Sequence, residues 1–271
     1  MKARNRPPRL DVHVAVHTPP PPATIEERLV RAKIAGRGPV GPTELRHLVM
    51  RVAAGDTGAL GGVSAPSAVA PEVWDAVHAV YGASFEHPEI DPDMLVAAAL
   101  RAGARVATIA RAGGRIGFAT SAPACLLGVH AALARLARTA GADVLEADDS
   151  GPIRVDGRSP RWIRWIDGVA TVTDRRSLIA AEGPDAPSEW LFQIGRPALV
   201  VADGCFAEAA AEAGIEVVAA SGLDRIALAV PATRPGRCLV IPVHTTRPPR
   251  HYRPLVELLE DGFGTPFGTE M

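Results

Sequence analysis

Residues 198–220, ALVVADGCFAEAAAEAGIEVVAA, decide the fold class. The runs ALVVA and EVVAA each have the length of a buried strand, and the alanine-rich residues 204–213 between them suit a helix. Outward from this unit the same pattern recurs. RVATIA (105–110), RIGFA (115–119), DVLEA (143–147), VATVT (169–173) and CLVIPV (238–243) read as strands, and residues 122–140 and 250–259 read as helices. Such alternation predicts an α/β fold: a doubly wound, mainly parallel sheet with helices on both faces. Its ligand is expected beyond the carboxyl ends of the strands.

A helical N-terminal segment precedes this sheet. Thr24 with Glu27 three positions on predicts a helix start, ended near Gly36. Pro42-Thr43 introduces a second helix with Leu45, Leu48, Val49 and Val52 on one face. PEVWDAVHAVYG (71–82) and DPDMLVAAALRAG (91–103) carry the same periodicity. The expected organisation is a proline-rich flexible arm over 1–22, a helical segment over 23–103, an α/β catalytic or ligand-binding core over 104–262, and a tail over 263–271. GDTGALGGVSAPSA (55–68) reads as a loop or boundary.

Composition narrows the partners. A net charge of -1 and the lack of a basic patch interleaved with aromatics argue against nucleic acid. No run approaches the ~20 apolar residues of a membrane span. The basic N-terminus lacks the apolar stretch of a secretory signal, and three scattered cysteines form neither a disulfide frame nor a zinc knuckle, so a cytoplasmic setting is expected. The only lysines are Lys2 and Lys33, which disfavours Schiff-base chemistry, PLP and a phosphate-loop lysine. No dinucleotide is expected either, because no Gly-x-Gly-x-x-Gly follows a strand. The sequence does not specify an oligomeric state.

Chemistry is concentrated in 143–174, DVLEADDSGPIRVDGRSPRWIRWIDGVATVTD. Its carboxylates need partners if buried. Those partners are either nearby arginines in a structural ion network or a divalent cation and a polar substrate; both readings fit the residues. Asp148, Asp149 and Gly151 follow the DVLEA strand, and Asp203 follows ALVVA. The three aspartates are candidate ligands for Mg²⁺ or another divalent cation, and candidate bases. Thr120 and Ser121 stand between a strand and a long helix, where they serve as a helix cap or an anion cradle. His244 ends CLVIPV as a candidate general acid, metal ligand or merely satisfied strand-end histidine. Arg158, Asp167 and Asp174 complete the candidate substrate-binding set. Cys205, at a predicted helix start, suits packing or a nucleophilic role. Arg247 and Arg250 suit a surface or an anion. No cysteine has arginine six positions on, no Asp-x-Asp directly follows a strand, and Arg-His-Gly does not occur.

EADDSGPIRVDGRS, WIDGVATVTD, LVVADGCFAEAAAEAGIEVVA and LVIPVHTTRPP resemble a family of bacterial proteins labelled phosphatase. More faintly, SGPIRVDG (150–157) and Ala202-Asp203-Gly204-Cys205 are similar to the C-terminal domain of D-glutamate cyclase, although the second glycine of that family's GDGG-type turn is replaced here. Neither resemblance covers residues 1–100. The first implies hydrolysis of a small anionic phosphate monoester, with metal assistance as the expectation. The second implies a lyase or cyclase acting on a small amino or hydroxy acid, and a non-enzymatic anion- or nucleotide-binding protein is the remaining alternative.

Overall fold

A computed structural model describes residues 23–56, 68–148, 151–153, 160–233 and 237–264. The expected arm over 1–22, most of the glycine-rich loop and most of the tail lie outside the described residues. The chain starts with α1 (Ile25–Arg31), where Thr24 Oγ1 accepts the Glu27 backbone N–H as predicted. A short β1 (Gly36–Arg37) leads to α2 (Pro42–Ala53), which buries Leu45, Val49 and Val52, and then to α3 (Ala70–Tyr81). β2 (Glu89–Ile90) pairs with β1, and Asp91 caps α4 (Pro92–Arg111).

Here the structure departs from expectation. RVATIA is no strand; it continues α4 for two more turns, so the boundary expected at 103/104 falls inside one helix. Val106, Ala107 and Ala110 are buried at helical spacing, and an apolar run this short is ambiguous in sequence. Gly103 allows a close approach there. A Cβ on it would stand 2.2 Å from the carbonyl oxygen of Leu259 on the last helix, and one on Gly262 would stand 2.2 Å from that of Leu100.

Next come β3 (Arg115–Ala119), α5 (Pro123–Thr139) and β4 (Asp143–Leu145), then the antiparallel group β5 (Trp162–Ile166), β6 (Val169–Thr173) and β7 (Leu178–Ile179). The chain continues through α6 (Asp185–Ile194), β8 (Leu199–Asp203), α7 (Gly204–Glu212), β9 (Val217–Ser221), α8 (Ala229–Ala232), β10 (Cys238–Pro242) and α9 (Arg253–Gly264). Among the described residues these strands form an eight-stranded sheet in the order β10-β9-β8-β3-β6-β5, with β4 on β3 and β7 on β6. β10, β9, β8, β3, β4 and β6 are parallel. The fold is therefore α/β with a mainly parallel sheet, as the 198–220 unit predicts.

Helices form two separate packed groups: α4 with α5 and α9, and α6 with α7. Gly117 faces the second group, since a Cβ there would meet Ile194 and Trp190. By strand alternation Ile116 and Phe118, both fully buried, face the first. Of the N-terminal helices, α3 packs at the β10 edge against α8, α4 and β10, α2 packs on α3, and α1 packs on α4 and α9.

Candidate active site

The chain leaves β3 towards β4, β5, β6 and β7 on one side and returns to β8 on the other. Connections diverging from neighbouring parallel strands leave a crevice at their carboxyl ends, the usual ligand position in open α/β sheets. Thr120 and Ser121 follow β3, and Asp203 ends β8, so these predicted residues meet at that switch point.

Asp203 is 1% exposed and accepts four hydrogen bonds. Thr120 Oγ1 donates to Oδ2 at 2.5 Å, and His130 Nε2 lies 3.0 Å from the same oxygen. The Ser121 backbone N–H and hydroxyl both donate to Oδ1, at 2.9 and 2.5 Å. Burial pushes the Asp203 carboxyl up, but the bonds from His130, Ser121 and Thr120 outweigh it and hold the group below its ordinary value. Thr120 and Ser121 are thus not the helix cap. Ala122 occupies that position without a side-chain bond, and its N–H donates to Thr120 Oγ1 at 3.1 Å. His130 sits on α5, 2% exposed, with Nδ1 buried and lacking a hydrogen-bond partner among the described residues.

Gly204 makes this geometry possible. Its φ is +51°, and a Cβ would lie 2.0 Å from Ser121 Oγ and 3.5 Å from Arg225 Nη1. One turn along α7, Glu208 is 2% exposed, with both carboxylate oxygens lacking a hydrogen bond and Arg225 Nη1 3.5 Å away. Burial pushes Glu208 up to about 7, against the pull of Arg225. Cys205 is buried as well, and burial pushes its thiol up to about 12, which fits packing and not a nucleophilic thiolate.

His244 is held by the N-terminal segment. Its Nε2 lies 3.0 Å from the Gly36 carbonyl, its backbone N–H donates to Ile34 O, and a Cβ on Gly38 would stand 2.2 Å from its ring. Burial lowers its pKa. Asp174 closes the β6–β7 turn, accepting the N–H groups of Arg176 and Ser177 at 2.9 and 2.8 Å, bonds that lower its pKa. Asp167 occupies the β5–β6 turn at φ +51°, 3.6 Å from Arg135, at the amino end of β6 and so at the sheet edge opposite Asp203.

Asp148 and Gly151 are exposed. β4 pairs only with Arg115–Gly117, and β6 takes its place beside Phe118 and Ala119, so the acidic stretch leaves the sheet before the carboxyl edge of β3. Asp149 and Arg158 lie outside the described residues. The expected metal-ligand set Asp148, Asp149 and Asp203 thus lies only partly within the described residues, among which no group of three or more His, Cys, Asp or Glu side chains has metal-binding geometry. A cation at Asp203 would have to displace a protein donor. His130, Glu208 and Arg225 escaped the sequence reading. The available signal was a polar residue interrupting an apolar helix face: His130 among Leu126, Leu133 and Ala134, and Glu208 among Cys205, Ala207 and Ala210.

No helix among the described residues is long and apolar enough to cross a membrane. No curated protein and no solved structure matches the chain significantly. A family model described as Phosphatase matches residues 23–262, on both sides of the β3–β8 crevice, and the chain belongs to that Phosphatase family.

Proposed function

We propose that the protein hydrolyses small phosphate monoesters in the crevice between β3 and β8, with Ser121 as nucleophile. The observation that carries this reading is the Ser121 Oγ–Asp203 Oδ1 hydrogen bond at the switch point. A hydroxyl whose proton lies on a carboxylate offers its lone pairs outward. It is poorly arranged to donate to a phosphate oxygen and well arranged to attack phosphorus.

In the proposed reaction the Ser121 oxygen bonds to phosphorus while the bond to the alcohol oxygen breaks. The seryl proton passes to Asp203 and then to the departing alkoxide. Water then attacks the phosphoseryl group, releasing inorganic phosphate and restoring the hydroxyl. Asp203 lies below its ordinary pKa and is a weak base, but a loose phosphoryl-transfer transition state deprotonates its nucleophile late, so a carboxylate suffices. His130 and Thr120 hold Asp203 from its other oxygen. Because all of these donors belong to the chain, the reading needs no cation at Asp203.

A panel of phosphomonoesters, assayed for phosphate release with and without Mg²⁺, Mn²⁺ and Zn²⁺, tests the proposal. Release is expected, falling ~100-fold or more in Ser121→Ala, with a phosphoseryl peptide trapped by acid quench and identified by mass spectrometry. Absence of phosphate release from every ester would overturn it, and product formation from an amino or hydroxy acid instead would favour lyase or cyclase chemistry.

A further inference from the structure

With the protons of Thr120 and Ser121 directed at Asp203, an anion in the crevice needs other donors. We infer that Arg225 is the guanidinium that binds the substrate's anionic group, with the buried Glu208 carboxyl beneath it as its positioning partner. The inference rests on the placement of the substrate between β3 and β8. The space that a Cβ on Gly204 would fill is bordered by both Ser121 Oγ and Arg225 Nη1, at 2.0 and 3.5 Å from that position, so cation and hydroxyl flank the start of α7.

Its backbone is fixed by two hydrogen bonds, and a third holds the serine that makes one of them. Arg225 N–H donates to Gly222 O at 3.0 Å, Ser221 Oγ donates to Arg225 O at 2.8 Å, and the fully buried Tyr81 donates to Ser221 Oγ at 3.2 Å. The N-terminal segment therefore holds the loop that carries the cation. Glu208 is beneath it: the Glu208 side chain is 2% exposed, whereas that of Arg225 is 30% exposed. At 3.5 Å, and with neither Glu208 oxygen in a hydrogen bond, the pair attracts without using the N–H fork. A guanidinium offers five donors in a plane that matches a phosphate's oxygens. The outward side of Arg225 is thus available to an anion while Glu208 keeps the side chain over Gly204. Two other arginines, Arg175 and Arg247, are turned to other contacts: Arg175 stacks over the Trp162 ring at 4.1 Å, and Arg247 Nε donates to Lys33 O.

Calorimetric titration of the full-length protein with inorganic phosphate tests the inference, alongside the KM and kcat of the best phosphomonoester. Arg225→Gln is expected to weaken phosphate binding at least tenfold and to raise KM more than it lowers kcat. Arg225→Lys, which retains the charge and loses the fork, is expected to fall between, and it decides the matter if the glutamine variant does not fold. At pH 8, where the wild-type Glu208 carboxyl is ionised, Glu208→Gln is expected to bind phosphate more tightly, because an opposing charge has gone. Wild-type protein that binds no phosphate, or folded Arg225 variants that bind it as the wild type does, would overturn the inference. The two readings fail separately: Arg225-dependent phosphate binding without ester cleavage removes the phosphatase mechanism and leaves the anion site, whereas cleavage with unchanged KM in Arg225→Gln does the reverse.

Discussion

At the end of β8, Asp203 sits in the protein interior with four donors on its two oxygens. At the end of β4, Asp148 stands exposed on a stretch that has already left the sheet. Both follow short apolar strands parallel to β3, one on either side of it. The difference comes from what lies beyond each strand. β8 runs full length to the edge and turns directly into α7 at a left-handed glycine, which places its last side chain against Thr120 and Ser121. β4 stops opposite Gly117, and β6 occupies the remaining length. A carboxylate acquires a buried environment through the position at which its strand ends, and adjacent acidic residues alone do not supply one.

The sharpest way to break this comparison is Asp203→Ala. Removing the acceptor leaves Thr120, Ser121 and His130 with unpaired buried donors, and a loss of about 3–5 kcal/mol in urea unfolding is expected. A loss near zero would mean that the four bonds do not hold the crevice. Because Asp203 lies below its ordinary pKa, its contribution should be fully present above the ordinary carboxylate value and be lost as pH falls from there through the depressed folded value.

Glu208 sharpens the contrast from within the same strand–helix unit, since it is equally buried yet unbonded. Its folded pKa is raised from 4.5 to about 7, so the folded state holds an extra proton between those values and stability falls as pH rises through them. The fall attributable to this one group is of order 3 kcal/mol. Unfolding midpoints measured from pH 4.5 to 8 should show it in the wild type and should flatten in Glu208→Gln. Identical slopes in the two proteins would show that Glu208 is not the titrating group.

Gly204→Ala addresses the turn itself. A side chain there meets Ser121 Oγ and requires a left-handed backbone, and a loss of about 1–3 kcal/mol is expected, with phosphate release impaired as Ser121 is displaced. The smallest effect belongs to the other side of the comparison. Asp148→Asn should leave stability within about 0.5 kcal/mol and phosphate release unchanged, as for an exposed residue away from the site. A fall in activity in that variant would bring the acidic stretch into the crevice and end the distinction.

Local pattern determined a large part of this protein. Apolar runs at 115–119, 169–173, 198–202, 216–220 and 238–243 became strands because each is short and largely buried within the sheet; RVATIA had the same look and became helix because its side chains fit the α9 surface at helical spacing. Strand–helix alternation was enough to predict parallel pairing and to direct attention to Thr120, Ser121 and Asp203. Which strand ends are neighbours was a matter for the tertiary structure alone. Pairing order depends on contacts between residues far apart in the chain, such as the 83 positions separating Thr120 from Asp203, and no local period encodes them. The same holds for His130, Glu208 and Arg225. An interior polar residue on a helix reads like any interruption of an apolar face, and an arginine in a loop like any surface charge, until packing places them, and only then do their charges and partners acquire a chemical meaning.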